Sequence, residues 1–351
     1  MPLAQSPLLD AIFAEAVALG ASDIHLAVGS APVYRIDGNL QKSQREAITQ
    51  EGLLQELKTV LREEAFKNYE NHQDQDFSYT LQTKERFRTD IYWKTGQPGL
   101  AARYIPARIP TLDELDAPDA VYDFLTSSYG IVLVTGPTGA GKTTLLASMV
   151  EHVNQTEGEH IITLEDPIEF IFEPKMSLIS QRELGMDFPN FAEGLKHVFR
   201  QDPDVVLIGE MRDPETIVSA LTLAETGHLV FATLHTNGAA STVERIINTF
   251  PAIQQQQIRL QLSLVLKGVI SQLLLPTTDG KRVAAREVMV NTAAVGNIIR
   301  EGKTEQLQNV IYSSQADKMV DLDQDLSSLL EEGRITQETA YEYARAKKKF
   351  M

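Results

Sequence analysis

The stretch GIVLVTGPTGAGKTTLLASMVEHV, Gly130 to Val153, decides the fold. It opens with an unbroken apolar run of the kind that forms a strand buried on both faces, and it closes in apolar residues at helical spacing. Between them GPTGAGKTT, Gly136 to Thr144, meets the template G-x-x-x-x-G-K-[ST] at every position. Without these flanks the nine residues would read as a glycine-rich turn with a solvated lysine. With them they read as a phosphate cradle. Gly136, Gly139 and Gly141, spaced by Pro137, Thr138 and Ala140, let the backbone wrap closely, and the loop N–H groups with the helix N-terminus supply partial positive charge. Lys142 is predicted to reach the β and γ phosphates of ATP, Thr143 to place its hydroxyl on Mg2+, and Thr144 to complete the motif.

Outward from this loop, GIVLVTG, HIITL, DVVLIG and HLVFATL alternate with helical or looped segments. Nearly continuous apolar strands joined by helices predict a mostly parallel sheet covered on both faces, an α/β domain. Upstream, Leu8, Leu9, Ile12, Phe13, Ala16, Val17 and Leu19 recur at helical spacing up to Gly20. SDIHLAV and VYRIDGNLQ follow as strands, with a hairpin turn at Asp37-Gly38, then a helical stretch over 49–69 and the strands FSYTLQ, RFRTDIYW and GLAARYIP. The division expected is a small α+β domain over 1–106, a Pro- and acid-rich linker over 107–118, the nucleotide domain over 119–290, and a charged helical region over 291–351.

Composition narrows the function. The chain has 351 residues and a formal net charge of -16, which disfavours nucleic acid as a partner, because nonspecific affinity comes from phosphate neutralisation by Lys and Arg. It has no cysteine, hence no disulfide framework and no Cys-based zinc site. The opening MPLAQSPLLDAIFAEAVALG lacks the basic start and unbroken apolar core of a signal peptide, and a cytoplasmic location is expected.

In doubly wound sheets ligands bind at the C-terminal strand ends, where two acidic groups stand: TLEDPIE, with Glu165, Asp166 and Glu169, and LIGEMRD, with Glu210. Glu210 is assigned to the attacking water, on the expectation that its very apolar strand lies centrally beside the strand of the phosphate loop. Glu165 is assigned to the metal through its water shell, beside Thr143. For each, a solvated carboxylate near a helix N-terminus is the alternative. His235 is expected on the same edge, with Thr233, Thr236 and Asn237 as a polar patch for the γ-phosphate. His228 is expected to pack at the opposite edge, and the tail ARAKKKFM to complement a helix C-terminus.

Taken in order, GPTGAGKTT, LEDPIEF, LIGEMRD and ETGHLVFATLHTNGAASTVERI resemble the Walker A loop, Asp box, Walker B strand and His box of the PilT family of type IV pilus retraction motors, within the secretion-type ATPases. The similarity extends to ASDIHLAVG, RFR, RYIP, VISQLLL and RVAAREVM. It implies a PAS-like first domain joined to a RecA-like P-loop motor domain, assembled as a homo-hexamer. It also implies Glu210 as catalytic base in a Walker B strand where glycine replaces the usual aspartate, Glu165 as the Asp-box acid, His235 as the His-box histidine, and no zinc. Arg88 and Arg103 match the expected arginine fingers, with Arg212 and Arg245 as further candidates. A platform protein of the inner membrane is the implied partner, which places the protein at that membrane's cytoplasmic face. One departure stands out: where the family commonly carries AIRNLIRE, this chain reads AVGNIIRE, Ala294 to Glu301, with Gly296 for the arginine. It motivates an alternative, an accessory paralogue that binds nucleotide in a mixed ring with a retraction ATPase.

Overall fold

The computed structural model describes residues 6–36, 38–105 and 108–351, so Asp37 of the expected hairpin turn and linker residues Pro106 and Ala107 lie outside the described residues. The chain divides into two compact units, 1–108 with 167–171, and 109–166 with 172–351.

In the first unit Ser6 caps α1 (Pro7–Ala18), its hydroxyl accepting from the Leu9 N–H at 3.1 Å, and Pro7 takes the first helical position, where a missing N–H costs nothing. The helix stops near Gly20, at φ +67°. Strands β1 (Asp23–Ala27), β2 (Val33–Ile36) and β3 (Asn39–Lys42), helices α2 (Gln50–Val60) and α3 (Glu63–Glu70), and strands β4 (Gln75–Thr80), β5 (Arg86–Lys94) and β6 (Gln97–Ile105) follow. The six strands pair antiparallel in the order β3-β2-β1-β6-β5-β4. Alternation along β5 sends Phe87 and Ile91 into a core shared with Leu9, Phe13, Leu53, Leu57 and Tyr69, and leaves Arg88 on the opposite face. The stretch expected as one helix over 49–69 is two, because Leu61 and Arg62 are extended. The break turns Leu61 inward and re-aims α3, so that Tyr69 stacks on Trp93 with centroids 5.2 Å apart.

The second unit holds α4 (Asp119–Leu125), β7 (Gly130–Thr135), α5 (Lys142–Thr156), β8 (His160–Glu165), β9 (Leu178–Glu183), α6 (Phe191–Val198), β10 (Val205–Ile208), α7 (Pro214–Glu225), β11 (Leu229–Leu234), α8 (Ala239–Asn248), α9 (Ala252–Val265), β12 (Leu266–Pro276) and β13 (Arg282–Val290). Its seven-stranded sheet has the order β13-β12-β7-β11-β10-β8-β9, parallel except for β12 with β13. The strand of Glu210 is therefore not beside that of the phosphate loop. β7 pairs with β11 and β12, and β10 lies one strand further out. Strand β9 and helix α6 occupy what reads as a loop, and β12 and β13 form an antiparallel hairpin that the strand-helix alternation does not predict.

Beyond the sheet come α10 (Ala293–Glu301), α11 (Leu307–Ser313), α12 (Leu322–Glu331) and α13 (Gln337–Tyr343). Leu322, Leu326, Ile335 and Ala340 form a core with Leu275, Val283 and Ala285 of the hairpin. The basic tail does not simply cap a helix. Arg345 pairs with the buried carboxylate of Glu287, its own N–H donates to Asp323 Oδ1 at 2.8 Å, and Lys349 Nζ donates to the Asp323 carbonyl at 3.1 Å.

Gly268 sits where the β12 register shifts against β7, and a Cβ there would fall 2.2 Å from Phe124 Cζ and 2.7 Å from the Met289 carbonyl oxygen. Gly268→Ala should therefore destabilise the protein by about 1–3 kcal/mol in urea unfolding. Phe124→Leu in the same chain should recover only part of the loss, because the Met289 carbonyl cannot be trimmed.

Candidate functional site

Parallel strands end at one edge, so the order of β7, β11, β10 and β8 sets the order of the side chains that follow them: Lys142, His235, Glu210, Glu165. The loop before Lys142 depends on its glycines. A Cβ on Gly136 would lie 2.2 Å from the Gln272 carbonyl oxygen, and Gly139 and Gly141 take left-handed backbone at φ +79° and +83°. No side chain caps α5 at Gly141, which leaves its first N–H groups to the loop. Buried Lys142 donates from Nζ to the carbonyls of Gly136 at 2.7 Å and Pro137 at 3.0 Å.

Lys142 Nζ also stands 3.4 Å from His235 Nδ1, while His235 Nε2 stands 3.4 Å from Glu210 Oε1. An ammonium group only donates, so Nδ1 accepts and the ring's proton sits on Nε2, facing the carboxylate. The other carboxylate oxygen, Glu210 Oε2, takes Arg212 Nη2 at 2.6 Å. Burial acts to raise the Glu210 pKa, but the Arg212 hydrogen bond and charge, with His235 behind them, outweigh it and hold the carboxyl below its ordinary value of 4.5. In the same stretch Asp213 is spent as the N-cap of α7, accepting from the Thr216 N–H at 2.8 Å.

The glycine before Glu210 has a steric reason. A Cβ on Gly209 would lie 3.1 Å from the Leu164 carbonyl oxygen and 3.3 Å from Glu165 Cα, since β10 and β8 close up there through the 2.8 Å bond from Gly209 N to Leu164 O. Buried Glu165 accepts at Oε1 from the Thr163 hydroxyl at 2.6 Å and from Gln181 Nε2 at 3.1 Å. Thr233 and Thr236, two of the three residues expected as a γ-phosphate patch, have partners within the fold. The first hydroxyl donates to the Gly209 carbonyl and the second shares a proton with Thr242 at 2.6 Å. His228 packs as expected, its Nδ1 2.9 Å from the Leu223 carbonyl.

Arg88 and Arg103 belong to the first unit, directly opposite one another on β5 and β6 and on the face turned away from that unit's core. Arg103 pairs with Asp23 at 2.8 Å, and Arg88 with Asp76 at 3.8 Å. Arg212 is engaged by Glu210 of its own chain, and Arg245 lies exposed on α8. Beside the phosphate loop is a cavity of about 610 Å³ lined by Gly141, Thr144, Gln272, Lys281, Arg282 and Arg286, within the size range of ligand pockets. Of these, Lys281, Arg282, Gln272 and Arg286 lie outside the residues that the sequence marks as a site, and Gln272 and Arg286 are buried. The sequence signal for those two is one amide in the apolar run VISQLLL and the second of two arginines in RVAAREVM.

Among the described residues no group of three or more His, Asp or Glu is arranged to hold a metal, and no helix is long and apolar enough to cross a membrane. The family model described as "Type II/IV secretion system protein" matches residues 4–349. The chain is 45% identical to the twitching motility protein of Neisseria gonorrhoeae, over 88% of this chain and 83% of that protein. It is 40% identical to the type IV pilus retraction ATPase PilT of Pseudomonas aeruginosa, over 94% and 96%. A crystal structure of the pilus retraction motor PilT with bound ADP superposes with a TM-score of 0.90 at 42% identity, covering 97% of this chain and 98% of that one.

The depressed Glu210 pKa has a pH signature. A folded-state value below the unfolded one gives stabilisation that is present above the ordinary carboxylate range and lost as pH falls through the depressed value. Arg212 is 75% exposed, so Arg212→Gln should cost no more than about 1 kcal/mol at neutral pH. In urea unfolding across the acid range, that difference from the parent protein should close below pH 4.5.

Proposed function

This chain belongs to the type II/IV secretion system protein family, in its PilT branch, and from that premise we propose that it hydrolyses ATP to retract a type IV pilus. The observation that supports the reading is the line from Lys142 through His235 to Glu210, with the lysine ammonium and the carboxylate two strands apart at one sheet edge. Lys142 holds the terminal phosphates, Glu210 orients the attacking water, and His235 keeps the two groups in register. Phosphoryl transfer asks mainly for such positioning and charge stabilisation. A carboxylate held low in pKa is a weak base, which suits orientation of the water better than early proton removal.

Mg2+ arriving with the nucleotide would meet the Thr143 hydroxyl directly and Glu165 through water. So few protein ligands suit an ion that keeps most of its hydration, and it would supply charge neutralisation at the phosphates. The cavity beside Thr144 takes the nucleoside. Arg88 and Arg103 act as fingers from a neighbouring subunit of a six-membered ring, and the ring works at the cytoplasmic face of the membrane on a platform protein. Their placement as an adjacent cross-strand pair on one face supports the assignment, because two guanidinium groups there can share one phosphate.

A second reading, an accessory subunit of a mixed ring, is favoured by Gly296. A Cβ there would lie 3.3 Å from the Ser263 carbonyl of α9 and 3.5 Å from Asn291 Oδ1, so α10 sits closer than the arginine of AIRNLIRE would allow without adjustment. Complementation of a strain lacking its retraction ATPase separates the two: restored twitching excludes the purely accessory role.

Glu210→Gln should bind ATP with unchanged affinity while phosphate release falls by about 100-fold or more. Near-normal turnover would remove Glu210 from the mechanism. Arg88→Ala should be inactive alone yet regain activity when mixed with Glu210→Gln subunits, since each then completes a site the other lacks. A mixture dead at every ratio would show that Arg88 does not act across subunits.

A further inference from the structure

The phosphate loop is gripped by a residue outside every motif that identifies it. Ser271 of β12 pairs with Thr135, the last residue of β7, so Gln272 falls just beyond that strand, against the loop. Its carbonyl oxygen occupies the space a Gly136 side chain would need, at 2.2 Å, and its Nε2 donates to the Ala140 carbonyl at 2.6 Å and stands 2.8 Å from where a Gly141 Cβ would be. One residue therefore sets both ends of the loop.

The amide is itself oriented. Arg286 lies directly opposite on β13 and donates from Nε to Gln272 Oε1 at 2.8 Å. A guanidinium N–H has no acceptor role, so the amide's oxygen must face Arg286 and its NH2 the loop. Gln alone among the side chains of that length offers both: Glu would turn an oxygen toward the Ala140 carbonyl, and Met would leave both partners unmatched.

Arg286 has a second attachment. Its Nη1 and Nη2 donate to the carbonyls of Asp116 at 2.8 Å and Leu115 at 2.7 Å. These end a single helical turn opened by a reciprocal cap, Thr111 N–H to Glu114 Oε2 at 2.9 Å and Glu114 N–H to Thr111 Oγ1 at 3.2 Å, and closed by Asp116 at φ +49°. The turn lies in the segment by which the chain enters the second unit at Ile109. Arg286 is 4% exposed, and burial pushes its pKa down against the pull of Asp325 and Asp116. A cation so costly to bury is held by three oriented acceptors, two of them on this turn.

We propose that Gln272 is the positioning residue of the phosphate loop and that Arg286 extends it into a relay, so that nucleotide occupancy at Ala140 and the conformation of the 111–117 turn are one coupled equilibrium. The inference rests on the reading that this loop binds nucleotide. Coupling of this kind is reciprocal: whatever stiffens the turn tightens nucleotide binding, and nucleotide stiffens the turn.

The test uses the full chain with ADP as probe, measuring affinity by calorimetry and amide hydrogen exchange over 111–117 with and without ADP. The parent protein should bind ADP and slow exchange across the turn. Gln272→Met should weaken ADP about tenfold or more and abolish the exchange response, as expected when hydrogen bonds to a charged group and to the loop are both lost. Gln272→Glu keeps a partner for Arg286 and so should lose less melting temperature than Gln272→Met while losing at least as much affinity, which a merely structural role for Gln272 would not produce. If either folded variant binds ADP within twofold of the parent and keeps its exchange response, the relay is wrong while the nucleotide site stands. If the parent itself fails to bind ADP, the functional reading falls and the relay with it.

Discussion

The insertion of β11 between β7 and β10 is the constraint on which the site depends. Neighbouring strands lie about 4.8 Å apart, so two steps put the strand of Glu210 roughly 10 Å from the strand that leads to Lys142. At one step the carboxylate and the ammonium group would meet and neutralise each other. At two steps they stay apart, and His235, at the end of the intervening strand, spans the gap with both ring nitrogens. The histidine's place follows from topology.

The same crowding that brings β10 against β8 removes the side chain at 209. With the Leu164 carbonyl oxygen 3.1 Å from the Cβ position, an aspartate there would press on the neighbouring strand and add a third carboxylate beside Glu165 and Glu210. Such a cluster would raise carboxylate pKa values, whereas the arrangement present keeps Glu210 ionised through Arg212. The chain's overall charge of -16 does not oppose anion binding here, because exposed charges beyond about 8 Å are screened at physiological salt and the loop's lysine and N–H groups are close.

What could be read from the sequence was what is local. Gly130 to Val153 holds strand, loop and helix in one continuous run, and the helical spacing of Leu9, Ile12, Phe13 and Ala16 lies wholly within α1. Strand order is not local. The apolarity of VVLIG reports burial on both faces, a property that LVFATL shares in full, and so could not say which of the two borders β7. The β12–β13 hairpin was hidden because α9 runs into β12 at Val265–Leu266 with no turn residue between them, and β9 because an edge strand of half-buried residues shows no alternation. For Arg88, alternation with Phe87 along β5 sets the face. Only register could show that it opposes Arg103.

That opposition has an energetic consequence. Like charges directly across a sheet repel, and each arginine here is offset by its own carboxylate, but unequally. Asp23, 15% exposed, holds Arg103 at 2.8 Å and also lies 3.8 Å from Arg35, while Asp76 and Arg88 are both substantially exposed and 3.8 Å apart. An exposed pair of that kind is worth at most about 1 kcal/mol, so separating Arg88 from Asp76 costs little. Releasing Arg103 also leaves Asp23 with less compensation, although Arg35 remains near it. Of the two, Arg88 is the one the fold leaves ready to move.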